Sequence, residues 1–128
     1  KIKDYELEGK VIVAGWVPDR DLPLLYSAAK VYVHPSLYEG FGFPVLEAMA
    51  CGCPVVSSNS ASLPELIGDA GILINPNDKY AIANAVVNII KDLTLSKRMG
   101  EEGLQKVQDF SWEKAAQKTQ EVLSKELG

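Results

Sequence analysis

Short, uninterrupted apolar runs alternate with helical periods over the first 74 residues of the chain, and beyond them the pattern is helical only. Lys10-Val-Ile-Val-Ala14, Val31-Tyr-Val-His-Pro35, Pro54-Val-Val-Ser57 and Gly71-Ile-Leu-Ile74 read as strands. Between them, Leu22 to Ala29 reads as a helix introduced by the turn Val17-Pro-Asp-Arg-Asp21, and Phe43 to Cys51 as a helix stopped by Gly52. Ser62-Leu-Pro-Glu65 has the spacing of a capping box, with Ser62 as N-cap and Glu65 reaching back, and opens a short helix through Ile67. Farther on, Ile82, Val86, Ile89, Ile90 and Leu93 share one helical face. A second helix spans about Leu95 to Phe110, and a third, from Ser111, puts Trp112, Ala115, Ala116, Thr119, Val122 and Leu123 on one side. Strands that are apolar throughout suit a parallel sheet covered on both faces, and every connection holds a helical segment long enough for a crossover. The expected class is α/β: a parallel sheet of about four strands with flanking helices and an all-helical C-terminal segment.

Composition narrows the partners. At 128 residues with 47% hydrophobic and 23% charged side chains, the chain suits one domain with a real core. Thirteen basic against seventeen acidic residues give a net charge of -4, with the basic ones scattered, so no nucleic-acid partner is expected. No apolar run approaches the roughly 20 residues of a membrane span and the start lacks a signal-peptide core, which predicts a cytoplasmic protein. Cys51 and Cys53 stand too close for an unstrained disulfide and lack a second pair for zinc, so both are expected in the core.

Candidate chemistry concentrates in Glu39-Gly-Phe-Gly-Phe-Pro-Val-Leu-Glu47. Glu47 is the only charged residue between Gly40 and Pro64. Burying it unpaired would cost several kcal/mol, on the order given for isolated charges, so it reaches solvent, is paired inside or awaits a polar ligand. In a parallel sheet ligands bind at the carboxyl ends of the strands, and Ser36 to Gly42 is a strand-to-helix loop. Gly40 and Gly42 let a ligand approach the backbone, and the helix beginning at Phe43 or Pro44 aims free N–H groups at an anion or a hydroxyl-rich group. Spacing alone leaves a plain tight turn, with Phe41 and Phe43 packed beneath it, equally open. Two further signals weigh toward structure. Asp19-Arg-Asp21 matches a metal-holding DxD string but precedes a helix, where capping is the better reading. His34, the single histidine, has no Ser, Cys or Asp partner pattern and reads as packed or loop-facing before catalytic. No GxGxxG or GxxxxGK[ST] string is present.

The segment Tyr38 to Ser57, with Ser62-Leu-Pro-Glu-Leu-Ile-Gly-Asp-Ala-Gly71 behind it, closely resembles the Rossmann-like, C-terminal donor-binding domain of retaining GT-B glycosyltransferases of the GT4-like family (glycosyl transferases group 1). Gly15-Trp-Val-Pro-Asp19 with Leu25-Tyr26, and Phe110-Ser-Trp-Glu113, extend the likeness nearly end to end. The resemblance implies transfer of a sugar from a nucleoside diphosphate donor (a UDP-, GDP- or ADP-sugar) to an acceptor hydroxyl on a sugar, glycan or lipid-linked molecule, with retention and with no metal or further cofactor. It implies that Glu39 lies beside the donor sugar as a sugar-positioning or ion-pair-stabilising group in catalysis. It implies that Gly40, Phe41, Gly42, Phe43, Pro44 and Val45 form the loop and helix start that hold sugar hydroxyls and diphosphate. Glu47 is implied to accept from the ribose hydroxyls, and Val17 to meet the base through its main chain. These roles make Glu39 the catalytic candidate, and Val17, Gly40, Phe41, Gly42, Phe43, Pro44, Val45 and Glu47 the donor-binding ones.

The likeness also sets expectations about what is missing. Residues 1–128 match a single, partial donor domain: an acceptor domain, two strands and a basic pair would precede Lys1. Those two strands would lie between the first and second strands here, leaving a gap about 10 Å wider than adjacent pairing. The expected outcomes are a first strand moved beside the second in a four-stranded sheet, or a homodimer covering the unpaired edge, or membership of a longer polypeptide. The isolated chain is expected to be inactive and the complete enzyme cytoplasmic or peripheral at a membrane. The alternative is a non-catalytic nucleotide-binding or structural fragment.

Overall fold

The computed structural model describes residues 1–127. It is an α/β fold built on a three-stranded parallel sheet in the order β1 (Tyr32–His34), β2 (Val55–Ser58), β3 (Ile72–Ile74). Val33 stands opposite Val56, and Val56 opposite Ile72. The helices are α1 (Leu22–Ala28), α2 (Phe43–Ala50), α3 (Leu63–Ile67), α4 (Lys79–Lys91), α5 (Leu93–Lys106) and α6 (Trp112–Leu127). Among the described residues no helix is long and apolar enough to cross a membrane.

Alternation along β2 divides the core. Val55 joins Val45, Met49, Leu63 and Ile67 on the α2–α3 face, and Val56 joins Ile74, Ala85, Ile89 and Met99 on the α4 face. α2 ends in a Schellman turn: Cys53 N–H bonds Ala48 O at 3.0 Å and Gly52 N–H bonds Met49 O at 2.9 Å, with Gly52 at φ +69°. α5 packs against this turn so closely that a Cβ on Gly100 would stand 2.6 Å from the Gly52 carbonyl oxygen.

Four expectations are corrected. Lys10 to Ala14 is not a strand. Lys10 and Val11 amides turn back to Leu7 O at 3.0 and 3.1 Å, Gly15 at φ +65° ends the stretch, and no ladder pairs with it among the described residues. The sheet therefore has three strands, and no fourth has moved beside β1. The helical face over 82–93 is Ile82, Ala85, Val86 and Ile89. Ile90 is exposed, and Leu93 lies beyond Asp92, whose carboxylate accepts from Leu95 N–H and starts α5. The helix expected over 95–110 is α5 followed by a 3-10 turn at Val107–Asp109. Cys53 is buried as expected, whereas Cys51 is half-buried. Through residue 126 every α6 side chain is exposed, including Trp112, Val122 and Leu123 of its apolar side.

Candidate functional site

The site is assembled at the carboxyl end of β1. Tyr32 and His34, two residues apart on one strand, point to the same side, and their rings stack with centroids 5.9 Å apart. The Tyr32 hydroxyl lies 3.2 Å from His34 Nδ1, and the loop after Pro35 brings Glu39 back so that its Oε1 lies 3.1 Å from His34 Nε2. Both His34 and Glu39 are half-buried. His34 is thus loop-facing, and the group it faces is the first glutamate of the motif.

Glu47 lies in the second turn of α2 and is exposed, so no desolvation cost arises for it. Tyr26 of α1 donates its hydroxyl to Glu47 Oε2 at 3.3 Å and meets Tyr32 edge-on, with ring centroids 5.4 Å apart. Burial first, then the neighbouring Tyr32 and Glu47, push the Tyr26 phenol up to about 12. Burial, then Glu47 and Glu39, raise Tyr32 as well. Both phenols are neutral donors at ordinary pH. This tyrosine pair links the surroundings of the two glutamates. Sequence reasoning missed its role, although Tyr26 stands in the quoted Leu25-Tyr26 and Tyr32 in a strand run.

At the start of α2, Gly42 takes φ +105°, and a Cβ there would stand 2.8 Å from Leu63 Cδ2. Gly42 is therefore required by the backbone and by its own core contact, apart from any ligand. A Cβ on Gly40 would meet nothing within 4 Å, so Gly40 is the glycine whose open side faces solvent. Of the helix-start positions, Pro44 has no N–H and Val45 N–H bonds Gly42 O at 3.0 Å. Phe43 N–H alone of these three is left for an anion among the described residues.

Serines at the end of β2 and in the loop after it hold the 36–42 loop from beneath. Ser57 Oγ donates to His34 O at 3.2 Å, and Ser58 Oγ donates to Ser36 O. Ser60 Oγ reaches Ser36 O at 3.5 Å, and Ser62 Oγ lies 3.0 Å from both Glu39 O and Phe41 O. Ser62 therefore precedes α3 without a side-chain capping bond, and the capping box is not formed. Its hydroxyl serves the neighbouring loop because the two loops emerge side by side from adjacent parallel strands. The signal was legible as Ser57-Ser-Asn-Ser-Ala-Ser62.

The remaining candidates fall around this centre. Phe41 packs on Phe43 at 4.7 Å and on Phe110 at 6.1 Å, which joins the Phe110-Ser-Trp-Glu113 string to the loop. These rings and Trp112 line an open cavity of about 820 Å³ that neither Glu39 nor Glu47 borders. Val17 is half-buried in the turn before α1, and no hydrogen bond ties it to either glutamate among the described residues. Asp21 precedes α1 without a side-chain capping bond, its carboxylate lying 3.6 Å from Arg20 Nε, so capping by the Asp19-Arg-Asp21 string is not observed.

Residues 1–106 match the family described as "Glycosyl transferases group 1". The O-antigen chain mannosyltransferase B of Escherichia coli is 48% identical over 112 residues, covering 88% of this chain and 29% of that protein. Among solved structures, the sucrose-phosphate synthase of Thermosynechococcus elongatus superposes with a TM-score of 0.86 at 35% identity, over 98% of this chain and 32% of that one. The Anabaena protein Alr3699/HepE in complex with UDP also superposes with a TM-score of 0.86, at 29% identity, over 97% of this chain and 35% of that one. The chain thus spans about a third or less of the length of these similar proteins.

Proposed function

Because the chain belongs to the glycosyl transferases group 1 family, we propose that it is the donor-binding part of a retaining, GT4-like GT-B glycosyltransferase. It takes a nucleoside diphosphate sugar, and an acceptor domain outside these residues holds the molecule whose hydroxyl receives the sugar. Solved complexes of HepE with UDP and with UDP-glucose support a nucleotide-sugar donor. The observation that carries the reading is the pairing of each glutamate with one partner: His34 meets Glu39 Oε1 and Tyr26 meets Glu47 Oε2. Each carboxylate keeps its other oxygen for a ligand hydroxyl.

In this reading Glu47 accepts from the ribose diol, with Tyr26 steadying the carboxylate from the protein side. Phe43 N–H and the positive end of α2 face the diphosphate, which gains negative charge as the sugar departs. Glu39 accepts from a sugar hydroxyl and supports the cationic character that develops on the sugar. Gly40 leaves room for the sugar, and Phe41, Gly42, Pro44 and Val45 shape the loop and the helix start. Val17 meets the base through its main chain. One helix start does not neutralise a departing diphosphate, so further donors come from outside these residues and the isolated chain binds donor without turning it over.

Glu47→Gln tests the assignment. In calorimetry with UDP, GDP and ADP, the substitution is expected to weaken the preferred nucleotide by about 1 to 3 kcal/mol, the scale of a charge-assisted hydrogen bond. The loss is expected to shrink for the 2',3'-dideoxy form. Equal losses on both forms would remove Glu47 from the ribose.

A further inference from the structure

We propose that Tyr32 and His34 form a hydrogen-bond relay that fixes the orientation of Glu39, which makes His34 a positioning residue for the donor sugar. The proposal rests on the reading of Glu39 as the sugar-side carboxylate. Its geometry stands independently of that reading. An ionised carboxylate only accepts hydrogen bonds, so the 3.1 Å contact to Glu39 Oε1 requires the proton on His34 Nε2. A neutral imidazole then presents a lone pair at Nδ1, where the Tyr32 hydroxyl, 3.2 Å away, donates. Every polar atom of the imidazole is then satisfied with a single tautomer.

The relay is braced from three sides. Tyr32 stacks on the imidazole, Tyr26 holds Tyr32 edge-on, and Ser57, fully buried, donates to the His34 carbonyl. The imidazole reaches Glu39 from a paired strand, whereas Glu39 stands on a loop with several free torsions. Tying one carboxylate oxygen to a strand-borne ring orders the side chain before a ligand arrives and directs the other oxygen outward. A histidine kept only for packing would leave Nε2 without a defined acceptor.

His34 is the single histidine of the chain, so its nitrogen-15 and proton resonances are unambiguous in the 128-residue protein. The expected spectrum is that of one Nε2–H tautomer at neutral pH, and Glu39→Ala is expected to release it into a mixture. The second arm compares affinities for UDP, GDP and ADP with those for UDP-glucose, GDP-mannose and ADP-glucose; the difference for the preferred base is the contribution of the sugar. His34→Phe keeps a flat ring on Tyr32 but removes the donor, and it is expected to cut that contribution about three- to tenfold, the worth of one hydrogen bond, in a protein that still unfolds cooperatively. His34→Gln returns an N–H near the place of Nε2 and is expected to restore it. An Nδ1–H tautomer in the wild type overturns the relay. So does a sugar contribution that survives His34→Phe: if Glu39→Gln abolishes it, Glu39 keeps its place and the relay falls, and if Glu39→Gln also leaves it intact, both fall.

Discussion

Val55-Val-Ser-Ser58 and Val11-Ile-Val13 begin as similar short apolar runs and end in opposite surroundings. All four residues of β2 are completely buried, with β1 on one edge and β3 on the other. Ile12 and Val13 are 86% and 80% exposed and extend without a ladder. An apolar run supplies side chains that gain by leaving water, but the backbone gains only where a neighbouring strand offers partners on the same level. β2 has such partners on both edges. The earlier run has none among the described residues, and its first amides are spent in a turn on Leu7. The same contrast explains why the candidate site forms on the β1–β2 side, where a strand carries the histidine and its neighbour carries the serines that secure the loop.

The largest expected effect breaks or upholds this contrast directly. Val56→Ala is expected to cost about 2 kcal/mol in urea unfolding, since it empties a fully buried position between sheet and α4, whereas Ile12→Ala is expected to stay within about 0.5 kcal/mol. Similar losses for the two would mean that the exposed run is packed in solution. Next in size, Ser58→Ala is expected to cost about 1 kcal/mol by leaving Ser36 O with only the long contact from Ser60 Oγ at 3.5 Å. If stability is unchanged, the polar end of β2 adds nothing to the contrast.

The smallest effect concerns the join between the two regions, because the exposed run leads into α1, which Tyr26 fastens to β1. The Tyr26 phenol rises from the ordinary value of 10.0 to about 12 in the folded protein. Below pH 10 both folded and unfolded states hold the proton and the contribution is fully present. Between about 10 and 12 the unfolded chain releases it first, so stability falls as pH rises through that window. Tyr26→Phe is expected to flatten this slope in alkaline unfolding, with a remainder from Tyr32, which is also raised. An unchanged slope would mean that α1 is not held to the sheet through this ring.

Much of this arrangement was legible residue by residue. The runs at 31–35, 54–57 and 71–74 each became a strand because each has a parallel neighbour, and Gly52 ended α2 through the turn its positive φ allows. Glu39 and Glu47 were singled out by type and spacing. Glu39 meets His34 only five residues away, whereas the contacts that hold Glu47 and the Glu39 main chain join residues far apart in the chain: Tyr26 to Glu47, and Ser62 to the Glu39 carbonyl. Such pairings depend on which loops emerge side by side, and no local pattern encodes that. Ser62 shows the conflict plainly. Its spacing fits a cap, but the neighbouring loop offered carbonyls that otherwise lacked a donor, and the hydroxyl went there.

The serine tethers end on main-chain oxygens: those of His34, Ser36, Glu39 and Phe41. A carbonyl is the same whatever side chain its residue carries. The loop can therefore exchange Leu37 or Tyr38, both exposed, for other residues over generations of descent and remain fastened in the same place. The serines thus fasten the loop by its main chain and leave the exposed side chains of Leu37 and Tyr38 outside the fastening.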